Sequence, residues 1–170
     1  MANQGVAAVK VEVLAHQLEV SRGSFYWHFK NRPELLEEIL KRWETETLWL
    51  IEESQKETTP EARLIKMFAL AEELFDLPDP EAAIFIWANQ ESRVQERVRI
   101  VETRRVNYLN QLLQDYGFDE IEARQKAEIG YFAFMGFWER RERDKKFDLS
   151  IKDFGKFLID LLLSPIKERK

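Results

Sequence analysis

The chain contains no cysteine, so neither a disulfide nor a thiolate metal site is open to it. Histidine is nearly as scarce. His16 and His28 stand on either side of a predicted turn and do not make a metal set. No Ser-His-Asp arrangement assembles from them, and no glycine loop of the phosphate-cradling kind is present. Carboxylates are plentiful, but they stand beside Lys or Arg, as in Glu139-Arg140-Arg141-Glu142-Arg143, which reads as solvated helical surface. No enzyme activity, cofactor or metal is expected. No run approaches the roughly 18 uncharged apolar residues of a membrane span. The leading MANQGVAAVK lacks the apolar core of a signal peptide. A soluble, cytoplasmic protein with no membrane partner is the expectation.

Strand signals are also missing, since no Asn-Gly type dipeptide separates alternating runs. Six glycines and five prolines among 170 residues fall mostly at the ends of periodic segments, so the chain reads as all-α. The spacing predicts helices over 11–18, 21–29, 33–55, 60–77, 81–92, 94–116, 120–143 and 151–163. Ser21, Asp119 and Ser150 are the expected N-caps, and Gly117 the expected stop. Apolar content of 45% supplies a core. The net charge of −5 does not suggest a polyanion partner, but its distribution does. Residues 1–32 hold four cations against two carboxylates, a net of +2, which leaves −7 for the rest. A basic end on an acidic body suits a protein that touches nucleic acid with one face.

The stretch SRGSFYWHFKNRPELL, residues 21–36, carries the most information. A short helix with Val11, Leu14, Ala15 and Leu18 on one side precedes it. Two short helices joined by a turn, the second rich in small polar, basic and aromatic groups, read as a helix-turn-helix. Such a motif places the start of its second helix in the DNA major groove. Phe25 and Phe29 are expected in the core. At the other end, 129–138 and 151–163 are apolar on more sides than one helix face can hide. A two-fold homodimer with both helices in a four-helix interface is the economical solution. Its expected residues are Ile129, Gly130, Ala133, Gly136, Phe137, Phe154, Phe157, Leu158, Leu161 and Leu162.

Ser21, Arg22, Gly23, Ser24, Tyr26, His28, Phe29, Lys30, Asn31, Arg32 and the Leu35-Leu36 pair resemble the TetR family of bacterial transcriptional regulators. Val13-Leu14-Ala15 and Val20-Ser21 upstream add to the likeness, which covers about residues 5–40. The resemblance implies a helix-turn-helix domain over 1–45 and a helical ligand-binding and dimerisation domain over 46–170. It implies DNA contacts from Ser21, Arg22, Gly23, Ser24, Tyr26, Trp27, His28, Lys30 and Arg32, the last from the start of the connecting helix to phosphate. It also implies a repressor whose affinity for double-stranded operator DNA is set by a small-molecule effector. Expected pocket residues are Phe68, Phe85, Trp87, Asn89, Tyr108, Tyr131, Phe134 and Trp138. The family carries a further helix ahead of the position matched by Gly5, where this sequence has Met1–Gln4. The DNA-binding domain therefore reads as incomplete, and Leu14, Leu18, Phe25 and Phe29 are expected to lack a covering layer. The alternative is a dimeric helical small-molecule-binding or interaction module that no longer binds DNA.

Overall fold

The structure, a computed structural model, describes Val6 and residues 9–17, 19–74, 81–144 and 146–165. Among these lie eight α-helices and no strand: α1 (Val11–Gln17), α2 (Arg22–His28), α3 (Arg32–Ser54), α4 (Pro60–Leu74), α5 (Glu81–Ala88), α6 (Ser92–Tyr116), α7 (Glu120–Arg143) and α8 (Ile151–Leu163). None of the described helices is long and apolar enough to cross a membrane. Gly5, Leu18 and the expected end of the fourth helix over 75–77 lie outside the described residues.

Most helix ends follow their local chemistry. Asp119 accepts from the Glu122 N–H at 2.9 Å, and Ser150 from the Asp153 N–H at 3.0 Å. Gly117 sits at φ 124°, and the Phe118 N–H reaches back to the Leu113 carbonyl, a Schellman-type stop. The turn after α1 uses the same device without glycine. Glu19 adopts φ 54°, with the Glu19 N–H on the His16 carbonyl and the Val20 N–H on the Ala15 carbonyl. The α5–α6 junction differs from expectation: α5 ends at Ala88, short of 92, and α6 opens at Ser92, ahead of 94. Glu91 turns the chain there, its carboxylate accepting from Trp87 Nε1–H at 2.7 Å and Arg93 Nε–H at 2.8 Å.

The chain forms two compact units. The first is Met1–Glu46 with Pro78–Val101, the second Thr47–Leu77 with Glu102–Lys170. In the first, Phe25 of α2 is buried in one core with Leu35, Leu36, Leu40 and Trp43 of α3, Ile84 and Trp87 of α5 and Val94 and Val98 of α6. Leu14, Phe29 and Ile39 pack at its edge. Phe25 was expected to lack cover and does not. Val6 and Val9 are themselves buried in this cluster and contribute to it. Leu14 and Phe29 stay half-buried.

In the second unit Val106 and Leu113 of α6, Ala123, Ala127 and Tyr131 of α7 and Leu158 and Leu162 of α8 share a core. Leu64 of α4 joins Leu112 and Ile159 beside it. Gly155 lets α8 press against α4, since a Cβ there would lie 2.8 Å from Phe68 Cδ1. Lys126 is buried, and its ammonium donates to the Leu162 and Ser164 carbonyls at 3.0 and 2.5 Å. A cation is favourable where a helix leaves its last carbonyls unpaired.

Candidate nucleic-acid interface

The second helix of the motif has two unlike sides. Ser21 caps it, its Oγ accepting from the Ser24 N–H at 3.0 Å. Phe25 then points into the core and Phe29 follows on the same side, one turn on. Ser21, Gly23, Ser24, Tyr26, Trp27, His28 and Lys30 are all exposed. Trp27 is 82% exposed, far more than an indole in a folded domain normally is. The Arg22 side chain lies outside what is described, although its backbone opens the helix. This exposed side offers hydroxyls, a cation, an imidazole and two amphipathic rings, groups that contact phosphates and base edges.

The connecting helix α3 starts on a reciprocal cap. Asn31 Oδ1 accepts from the Glu34 N–H at 2.9 Å, while the Glu34 carboxylate accepts from the Lys30 N–H at 2.5 Å. Arg32 is half-buried, and its Nε–H and Nη2–H donate to the carbonyls of Val9 and Val6 at 2.7 and 2.6 Å. The position expected to face phosphate thus ties down the segment ahead of α1. A basic side chain at a helix start looks alike in sequence in either role.

Behind the motif lies a charge network whose members have the composition of ordinary solvated helix surface. Arg97 of α6 donates from Nε and Nη2 to the Glu44 carboxylate at 2.6 and 2.8 Å, and from Nη1 to Glu37 at 2.5 Å. Arg93 donates to Glu37 at 2.8 Å and to Glu91. The Arg97 hydrogen bond, joined by that of Arg93, holds the Glu37 carboxyl below its ordinary value of 4.5 against a desolvation that raises it. The only signal was spacing: Glu37 and Glu44 two turns apart on one helix, Arg93 and Arg97 one turn apart on another.

The expected pocket residues divide between the units. In the first, Phe85 packs edge-on to Trp43, Trp87 is buried, and Asn89 is exposed in the turn after α5. In the second, Phe68, Phe134 and Trp138 form a row with ring centroids about 6 Å apart. Tyr108 OH lies 2.6 Å from Oγ of the buried Ser54. Because Ser54 Oγ donates to the Ile51 carbonyl, the phenol is the donor between them. Tyr131 OH donates to Glu102 at 3.3 Å. Ser54, a small polar residue at the last position of α3, gave no sequence signal.

The expected interface residues also divide. Gly130, Phe137, Leu158 and Leu162 are buried within their own subunit, and the Phe137 ring stacks on Phe154 at 4.2 Å. Ala133 and Phe154 are half-buried, while Ile129, Gly136, Phe157 and Leu161 are exposed. Ile121 and Phe132, which were not on the expected set, are exposed too, at 72% and 64%.

A two-helix motif seated on a long connecting helix, with a polar-aromatic second helix turned to solvent, defines a helix-turn-helix DNA-binding protein. The family model described as bacterial regulatory proteins, tetR family, matches residues 1–39, the span that holds α1, α2 and the start of α3. Over that segment the chain is similar to the TetR family, and the match supports a DNA-binding transcription regulator. Among curated proteins nothing matches it.

Proposed function

We propose that the protein is a cytoplasmic homodimeric repressor that reads operator DNA with α2 and yields to a small-molecule effector. The single observation that carries the reading is the exposed side of α2, where Tyr26, Trp27, His28 and Lys30 stand free of the core while Phe25 holds the helix in place. Ser21, Arg22, Gly23 and Ser24 at the helix start take the groove-facing role, with Tyr26, Trp27, His28 and Lys30 along the backbone. Arg32, with an Nη1 not engaged by Val6 or Val9, reaches phosphate only in addition to its anchoring bonds. The 1–45 segment serves as the DNA-binding domain and 46–170 as the dimerisation and ligand domain.

The second copy docks on α7 and α8. Ile129 and Phe132 on α7 recur at helical spacing with Gly136, and Phe157 and Leu161 on α8 stand a turn apart. All four apolar side chains are at least half exposed, more large apolar groups than two neighbouring helices ordinarily leave to water, which supports an association face. A second copy is the natural occupant, because two reading heads on a two-fold axis match two half-sites. The effector is assigned to the second unit, where the Phe68–Phe134–Trp138 row offers aromatic faces to a flat or apolar ligand.

Selection of duplexes from a random pool tests the reading. Enriched sequences should form inverted half-sites with centres one helical turn, about 34–36 Å, or a multiple of it apart. A pool that shows no enrichment refutes operator reading and favours the DNA-silent module.

A further inference from the structure

We propose that Arg97 is a positioning residue for DNA reading: by clamping Glu37 and Glu44 it fixes the pose of α3, and with it α2. The inference rests on the DNA-binding reading above and adds to it a residue that touches no DNA.

The argument begins with what the core cannot do. Phe25, Leu36, Leu40, Ile84 and Val98 hold α2, α3, α5 and α6 together, but apolar packing is non-directional. Side-chain packing confines a helix pair, but it leaves crossing angles a scatter of about 15–20°. A guanidinium fork on a carboxylate allows no such freedom, because two parallel N–H···O bonds fix distance and plane together. Arg97 makes that fork with Glu44, at 2.6 and 2.8 Å, and uses its remaining arm on Glu37. Glu37 and Glu44 are seven residues apart, about 10.5 Å along the helix axis. One side chain of α6 therefore pins α3 at two heights. Arg93 adds a further bond to Glu37 from one turn away.

The clamp is well placed to matter. Arg97 is 20% exposed and the two carboxylates 32% and 25%, so water competes less than at an open surface pair. Glu37 follows directly on Leu35 and Leu36, which share a core with Phe25 of α2. A displacement of α3 there moves the helix whose exposed side meets the groove, and base-edge hydrogen bonds tolerate little displacement. Phosphate contacts, made by long flexible cations, tolerate more.

The test compares the full-length protein with Arg97→Met, Arg97→Lys and Glu44→Gln, with Arg42→Met as a loss of charge from a pair within α3 itself. The probes are a duplex selected by the wild type and a scrambled duplex of the same length. Arg97→Met should bind the selected duplex at least ten-fold more weakly while changing scrambled binding less than two-fold. Its salt slope should stay that of the wild type, since no phosphate contact is lost. Arg97→Lys, which keeps the charge but not the fork, should fall between, and Arg42→Met should behave as wild type. Amide hydrogen exchange over 22–28 should quicken in Arg97→Met. A folded Arg97→Met with wild-type preference and wild-type exchange overturns the proposal. Should that variant not fold, Glu44→Gln, which leaves Arg97 on Glu37, decides by the same measures. Should the wild type prefer no duplex, the DNA reading fails, and exchange over 22–28 alone decides: faster exchange supports the clamp and unchanged exchange overturns it.

Discussion

Replacing Phe157 with glutamate should split the proposed dimer. Phe157 is 69% exposed in the single subunit, so about two-thirds of its burial is still to be gained on association. Full burial of such a side chain contributes about 1.5–3 kcal/mol, which leaves about 1–2 kcal/mol per copy. The two-fold axis repeats the loss, giving about 2–4 kcal/mol per dimer. That corresponds to a roughly 30- to 700-fold rise in the dissociation constant. A buried carboxylate facing its own copy adds a desolvation penalty to this figure. Sedimentation velocity over a dilution series reads the constant directly. Ile65→Glu, on α4 and 51% exposed, supplies the control and should leave association unchanged. If Phe157→Glu and Phe132→Glu both associate like the wild type, the α7–α8 strip is not the interface. If the wild type is monomeric at high micromolar concentration, the two-fold reading itself is wrong.

Three further outcomes follow from the local chemistry. Glu19→Gly should stabilise the protein by about 1 kcal/mol in urea unfolding, because glycine adopts φ 54° without the Cβ clash that glutamate carries; a loss of stability would contradict this. Gly155→Ala should destabilise by up to about 2 kcal/mol: overpacking against Phe68, about 1–3 kcal/mol, at least offsets the roughly 1 kcal/mol of helix propensity gained, and a more stable variant would show that the α4–α8 approach is looser than described. Acid should weaken the first unit through Glu37, whose carboxyl is held below its ordinary value, so the stabilisation present above about pH 4.5 is lost as pH falls through the lowered value; thermal unfolding of Glu37→Gln should therefore show a shallower loss below that pH than the wild type, and parallel curves would count against the network.

The helices and the reading motif were legible because their signals are local. Ser21, Asp119, Ser150 and Gly117 act on backbone groups within four residues, and the period of Leu35, Leu36, Ile39 and Leu40 declares the buried side of α3. What lay beyond reach was which partner a side chain chooses across space. Arg32 had the residue type and position of a phosphate contact, yet it bonds carbonyls of a segment more than twenty residues earlier. Arg97, Glu37 and Glu44 had the composition of any solvated helix surface until α3 and α6 were set side by side. The apolar excess of α7 and α8 correctly signalled more than one covered side. It did not say which members, such as Phe137 and Leu162, are covered from within and which, such as Phe157 and Phe132, are left for a partner.

The salt dependence of binding to a selected duplex bears most directly on whether α2 lies against DNA. Each neutralised phosphate contributes about −0.9 to the slope of log K against log salt. Two heads each presenting Lys30 to a phosphate give about −1.8 or steeper, and Lys30→Gln should flatten the slope by about 1.8. A slope near zero, or one that Lys30→Gln leaves unchanged, would mean that the exposed side of α2 does not meet the duplex.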